Sequence, residues 1–502
     1  MKKWIRQYCY LLMVVCMCSI FSFCAKDEVI SDDPNAMLDF DKDTLKFDTV
    51  FVTMGSATEE LKIYNRSDKR VQVSSISLGG GEESFFRLNI DGTPTTDARD
   101  VEIWADDSLY IFAEVTIDPG SAATPFVVED SILFTINGNE QKVRLQAWGQ
   151  NANFYGPDSP NGAVVCDAVW TRDLPYVITD SLVVSPDCSL TIEAGAQVYL
   201  HNQAALIVKG SLQVNGGVDS ADVVRFQGTR LDSKFGTEFY QRIPGQWFGI
   251  VLSPGSKENF INGALIRNAL FGVVVDTFAN IGPPSEAATL IIQNSTIRDV
   301  GWGIVGSNNT ILGLNTVVYN CAFNNLWLLR GGNYKFAHCT FVNTATRYIG
   351  HEQPILLTNN VDARAGIVYN MDTRFYNSVL YGLGAAVEEE IAQDTVVLEG
   401  ANYDLKFNNC LIRTGIDRDN PAFNNCIFQD GFGVQDTLFA DYFFNIDDFD
   451  LRLNPNSPII NKGLTREEFD ALLNGVIPFE AVELDAEGKM RDEMPDIGAY
   501  EF

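Results

Sequence analysis

The sequence predicts an all-β protein: an N-terminal β-sandwich, then a parallel β-helix, then a C-terminal segment, residues 446–502, that closes and caps the helix. Three observations carry this. Residues 38–152 alternate apolar and polar side chains in short runs separated by turn residues. From about Tyr176 the runs shrink to apolar triplets that recur every eight or so residues without helical period. One phrase is then written twice at an offset of 31: Ile266-Arg267-Asn268 with Gly272-Val273, and Ile297-Arg298-Asp299 with Gly303-Ile304. Self-similarity at a fixed period is the mark of stacked architectures.

The chain opens on Lys2, Lys3 and Arg6, followed by an apolar stretch, Tyr8 to Phe23, too short to span a membrane comfortably. Residues 1–23 therefore read as an export signal. The stretch ends in FSFCAKDE. A cysteine in that place resembles the lipobox of bacterial lipoproteins. The resemblance implies lipidation of Cys24 and anchoring in the outer membrane through an N-terminal lipid. Lys26-Asp27-Glu28 resembles the acidic signal that carries Bacteroidetes lipoproteins to the cell surface. Residues 24–37 are polar and acidic and read as a tether.

The 502-residue chain is 46% hydrophobic, enough for a large core, and carries a net charge of −30. Without residues 1–23 the balance is 33 basic against 66 acidic residues. Such a polyanion repels nucleic acid, and it takes a polyanionic sugar only if calcium bridges the charges. Six cysteines follow the leader: Cys166, Cys188, Cys321, Cys339, Cys410 and Cys426. No CxxC pair exists, so no structural zinc site is expected, and the reading assigns no metal and no cofactor.

In residues 38–152 the strand candidates are 45–52, 60–65, 71–78, 109–117 and 143–148. Ile136-Asn137-Gly138 marks a tight hairpin. The expected arrangement is an antiparallel sandwich. An opening FDTV strand, NRSD after a strand, and a strand closing in IDP resemble immunoglobulin-like modules of the ASH/Hydin kind, which implies a spacer.

In residues 160–445 the triplets Leu182–Val184, Leu190–Ile192, Val198–Leu200, Leu206–Val208, Leu212–Val214 and Val223–Phe226 are too short for a hairpin sheet. They suit a coil of three short strands per turn. An offset of 31 allows one turn plus a loop, for which residues 278–287 are the candidate. An N-[CS]-x-apolar phrase recurs at 294, 320, 338 (with His), 377, 409 and 425. Asn suits a bend that needs unusual φ, and a small Cys, Ser or Thr fits the interior beside it. Cys321, Cys339, Cys410 and Cys426 are therefore expected to be buried free thiols. Cys166 with Cys188 is the one pair left open as a disulfide.

Three segments, 189–216, 244–273 (with Trp247 and Gly249) and 450–502 (DLRLNPNSPIINKG, DAEGKMR, PDIGAYEF), resemble bacterial surface proteins with a right-handed parallel β-helix of the pectin-lyase fold. The resemblance implies a fold more than an activity, since lyases, glycosidases and inactive members share it. G-H-G and R-x-K are absent. Asp447-Asp448 is the only Asp-Asp once the fold is established. His338 reads as a buried substitute for Asn, and His351 as a surface residue. No catalytic residue is assigned.

Trp302, in Gly-Trp-Gly, is expected on an exposed bend and is the candidate for stacking on a sugar. Arg267 and Arg298, at equivalent positions of the repeat, are the candidates for lining a sugar groove. Trp247 is read as structural, and Trp327, Tyr319, Tyr334 and Tyr348 as fillers of the core or of rung ends. The favoured function is non-catalytic glycan binding, adhesion or scaffolding at the envelope. The alternative is a polysaccharide lyase or glycoside hydrolase.

Overall fold

The computed structural model describes residues 29–118, 125–232, 240–275, 286–344, 355–358, 360–362, 367–383, 391–394, 402–414, 417–429, 438–441, 450–473 and 477–502. Cys24, Tyr348, His351, Asp447-Asp448 and most of the 278–287 loop lie outside them. The chain divides into two compact units between Gln150 and Asn151.

The first unit is a β-sandwich of two five-stranded sheets. Period-two alternation aims Leu61, Ile63, Val71, Val73, Ile111, Ala113, Leu145 and Ala147 into its core. Asn137 (φ 47°) and Gly138 (φ 87°) join Phe126–Ile136 to Asn139–Gln150, the left-handed pair that a two-residue hairpin needs. Two expectations are corrected. Thr44–Phe51 pairs in parallel with Asn139–Gln150, so the sandwich is not purely antiparallel. Alternation fixes which face a residue takes but says nothing of strand direction. The later part of the acidic tether is docked: Ser31 N donates to Arg70 O (2.7 Å), and Asn137 Nδ2 to Ser31 O (3.1 Å) and Asp33 O (2.8 Å).

The second unit is a parallel β-helix. Short strands pass in turn through three sheets of eleven, nine and ten strands, here the first, second and third sheets, and neighbours within each sheet run parallel. Stacking begins at Asn153–Tyr155, which pairs with Tyr176–Ile178, a little before residue 160. Like lies on like: Leu182 on Leu206, Leu190 on Leu212, Ile266 on Ile297 and Ile297 on Val318. The repeated phrase is thus two successive coils in register, Arg267 on Arg298 and Val273 on Ile304. Inside the later coils Phe336, Phe375, Phe407 and Phe423 form a ladder with centroids 5.3, 5.1 and 5.3 Å apart. Each fully buried Phe contributes roughly 1.5–3 kcal/mol.

The corner from third to first sheet is a column of left-handed residues: Gly263, Asn294, Asn315, His338, Asn377, Asn409 and Asn425, with φ between 44° and 59°. The next residue points inward and is small: Ser295, Thr316, Cys339, Ser378, Cys410, Cys426. Asn320 belongs to the other corner, from first to second sheet, with Asn268 and Asp299. Asn315-Thr316 takes its place in the column. Both corners demand the same chemistry, so the phrase alone does not separate them. Cys166 and Cys188 form a disulfide, while Cys321, Cys339 and Cys410 are buried thiols and Cys426 is half-buried.

The closing segment is corrected most. Residues 450–473 and 477–502 lie along the flank of the coil. Ile459, Ile497 and Ala499 pack on Val317, Tyr319, Val342, Val379 and Tyr381, outward residues of the first sheet. The helix Arg466–Leu473 (α1) and the residues after it bury Phe469, Leu473 and Val482 against Leu314, Ala337 and Tyr376. Ile497 is buried and Tyr500 partly so, but Phe502 is 55% exposed. The apolar outer face of these strands is the reason, together with the amides of the corner column. Asn315 Nδ2 donates to Leu484 O (2.7 Å), Asn377 Oδ1 accepts from Leu464 N (2.7 Å), and Asn409 Nδ2 donates to Lys462 O (2.9 Å). Arg491, fully buried, ties the segment down through Glu501 (3.0 Å), Asn315 Oδ1 (3.1 Å) and three backbone carbonyls.

Candidate functional site

Beside the second sheet aromatic rings stack from coil to coil, with Phe271 and Trp302 in direct register. Phe271 lies one coil above Gly249 and one below Trp302. Ring centroids run Phe248–Phe271 5.3 Å, Phe271–Trp302 4.9 Å and Trp302–Phe323 4.1 Å, with the last two pairs stacked. Trp327 also stacks with Trp302, its centroid 5.8 Å away. Phe248 is 39% exposed and the others are half-buried, so the stack is an outward ladder along the coil axis. Trp302 opens the strand Trp302–Ser307, which corrects the exposed-bend expectation.

Glycines hold the ladder in place. A Cβ on Gly303 would meet Asn325 O at 2.2 Å and Val318 Cγ1 at 2.6 Å, and one on Gly272 would meet Gly303 O at 2.5 Å. The coils can stack this closely beneath Phe271 and Trp302 only because these positions have no side chain.

Arg267 and Arg298 stand on the outer face of the first sheet, four residues before Phe271 and Trp302 across the same corner. Tyr319 and Phe323 repeat the spacing one coil on. Arg267 donates to Gln227 Oε1 (2.8 Å) and Gln241 Oε1 (3.2 Å). Arg298, its side chain 14% exposed, sits 3.6 Å from Asp299 and over the Tyr319 ring. Both arginines are thus held by the protein.

Asp299 is the residue that sequence reasoning passed over. Its carboxylate is buried at the corner and accepts from Asn320 Nδ2. Burial raises its pKa above the usual 3.8, against the pull of Arg298, Arg242 and Arg267. The signal available was its alignment with Asn268, a neutral residue at the same corner. Phe248, Phe271 and Phe323 were also missed. An aromatic four residues after each of Arg267, Arg298 and Tyr319 was the signal for Phe271 and Phe323, and Phe248 had none.

The remaining candidates are structural. Trp247 is buried and its Nε1 donates to Arg267 O (2.8 Å). Tyr334 is buried with its hydroxyl on Gly331 O (2.8 Å). His338 is buried in the corner column, as the Asn-like phrase implied. Elsewhere, a groove of about 600 Å³ is lined by Asp167, Asp187, Lys209, Lys257 and Glu258 beside the disulfide. Asp167 lies close to Cys166 and Cys188, but both sulfurs are bonded to each other and neither is a thiolate ligand.

This is a β-sandwich joined to a parallel β-helix with an aromatic outer ladder. No family description and no curated protein matches the chain. Among solved structures it is similar to the catalytic domain of a GH87 α-1,3-glucanase in complex with nigerose, at 10% identity over 75% of this chain and 88% of that one, TM-score 0.25. It is also similar to an ASH/PapD-like domain of human CEP192 (8% identity, 26% and 97% covered, TM-score 0.17). A family 123 glycoside hydrolase from Clostridium perfringens is a third (7% identity, 28% and 38% covered, TM-score 0.17). At these scores the likenesses carry no argument about activity.

Proposed function

We propose that this chain is a cell-envelope lipoprotein, anchored through Cys24, whose β-helix binds a linear polysaccharide along the outer ladder without turning it over. The observation that carries the reading is the run Phe248–Phe271–Trp302–Phe323, four outward rings on four successive coils. Because the rings stack on one another, they present their edges as one continuous apolar strip along the coil axis, against which an extended polymer can bury apolar surface. Arg267 and Arg298 add positive charge beside the strip. The leader supports a place at the cell surface, where such polymers are met. Among the described residues, no helix is long and apolar enough to cross a membrane.

One observation favours the alternative. Asp299 is a carboxyl held at the corner by Asn320 and Arg298, three residues before Trp302, and burial raises its pKa, as a general acid requires. A glycan array on the full chain, repeated with Phe271→Ala/Trp302→Ala, tests binding. The reading expects the variant to lose the captured glycan. Reducing ends released from that glycan by the parent chain and not by Asp299→Asn would move the reading to hydrolysis.

A further inference from the structure

Cys410 and Cys426 occupy the same corner position on two successive coils. Leu411 and Ile412 pair with Ile427 and Phe428, and Ile427 N donates to Cys410 O (2.8 Å). The residues before them, Asn409 and Asn425, both take φ 50°, so the two cysteines leave equivalent corners in the same direction. Strand neighbours of this kind are about 4.8 Å apart, inside the Cα separation a disulfide accepts. Cys339 lacks such a neighbour: it lies between Thr316 and Ser378 in its column. At the other end of the coil, Cys166 and Cys188 already bridge two turns with Cα atoms 4.9 Å apart.

We propose that Cys410 and Cys426 are a second inter-coil clip, a dithiol that a disulfide-bearing oxidant converts to a disulfide between the last two coils. Cys426 is the half-buried member and Cys410 the buried one. Cys426 therefore attacks: its thiolate displaces one sulfur of the oxidant and forms a mixed disulfide. Cys410 then loses its proton and attacks Cys426 Sγ, expelling the second sulfur as a thiolate. One S–S bond breaks in the oxidant and one forms in the chain. Two electrons pass to the oxidant, and the two thiols lose their protons. The environments fit these roles. A hydrogen bond from Cys410 lowers the Cys426 pKa, while burial raises that of Cys410.

The test uses the full chain treated with oxidised glutathione, quenched with N-ethylmaleimide, digested and mapped by mass spectrometry. The expected product is a Cys410–Cys426 linked peptide two hydrogens lighter than the dithiol, with Cys321 and Cys339 alkylated only after denaturation. In Cys410→Ser, Cys426 should instead accumulate the glutathione adduct. Recovery of Cys410 and Cys426 in the parent chain as maleimide adducts, or of Cys426 as a stable glutathione adduct, overturns the proposal.

Discussion

Replacing His338 by Asn isolates what a buried imidazole does to acid stability. The ring is fully buried, with Nε2 2.9 Å from Asn377 Nδ2 and the Phe469 ring 6.1 Å away. Burial, helped by the Arg491 charge, holds its pKa well below the ordinary 6.5. A depressed base stabilises the fold fully above its unfolded pKa, and that stability is lost as pH falls below it. If the folded ring stays neutral, the loss reaches about 2 kcal/mol at about pH 5, since each pH unit is worth at most about 1.4 kcal/mol. Asn does not titrate and accepts the left-handed corner, as Asn315 and Asn377 do. The smaller side chain leaves a gap that costs on the order of 1–2 kcal/mol at neutral pH. The variant should therefore be less stable near neutrality, and the difference should close or invert toward pH 5. Urea unfolding of both proteins across that range, followed by tryptophan fluorescence, reads the difference directly. A gap independent of pH would refute the placement of a neutral imidazole in the column.

Gly303→Ala should destabilise the β-helix by about 1–3 kcal/mol, because the new methyl meets backbone at Asn325 O and no rotamer can relieve it. Gly55→Ala, whose Cβ meets only Thr116 Oγ1 at 3.9 Å, is the matched control and should be neutral in the same denaturation assay. Arg491→Leu leaves Glu501 buried without its partner and should cost roughly 3–5 kcal/mol. Because the cost falls on the flank segment, limited proteolysis should cut within residues 450–502 first; an unchanged digestion pattern would sink this role.

The coil was legible because its chemistry is local. Triplets with bends between them, and a phrase repeated at 31, state the register that Ile266 and Ile297 then adopt. Direction was not legible: Thr44–Phe51 alternates identically whether its partner runs parallel or antiparallel. Nor was the flank. Val317, Val342 and Val379 are as apolar as the inward Val318, Phe341 and Leu380, and only the arrival of Ile497 and Ala499 distinguishes the two faces. Asn320 was grouped with the wrong corner because both corners need a left-handed residue followed by a small one. Of the site, Trp302 and the two arginines could be chosen from the repeat. The ladder itself needed the register of the coils, which sets Phe271 beneath Trp302, and the approach of Phe248 and Phe323, which are not their register partners.

The central claim is that the outer ladder holds a polysaccharide without cleaving it. The most direct measurement is calorimetric titration of the full chain with the glycan that an array selects, beside Trp302→Ala, with the mixture then assayed for new reducing ends and unsaturated product. The account predicts saturable binding, weakened about tenfold or more in the variant, the equivalent of roughly 1.4 kcal/mol, and no product. Binding equally tight in Trp302→Ala, or product that appears only with folded protein, would contradict it.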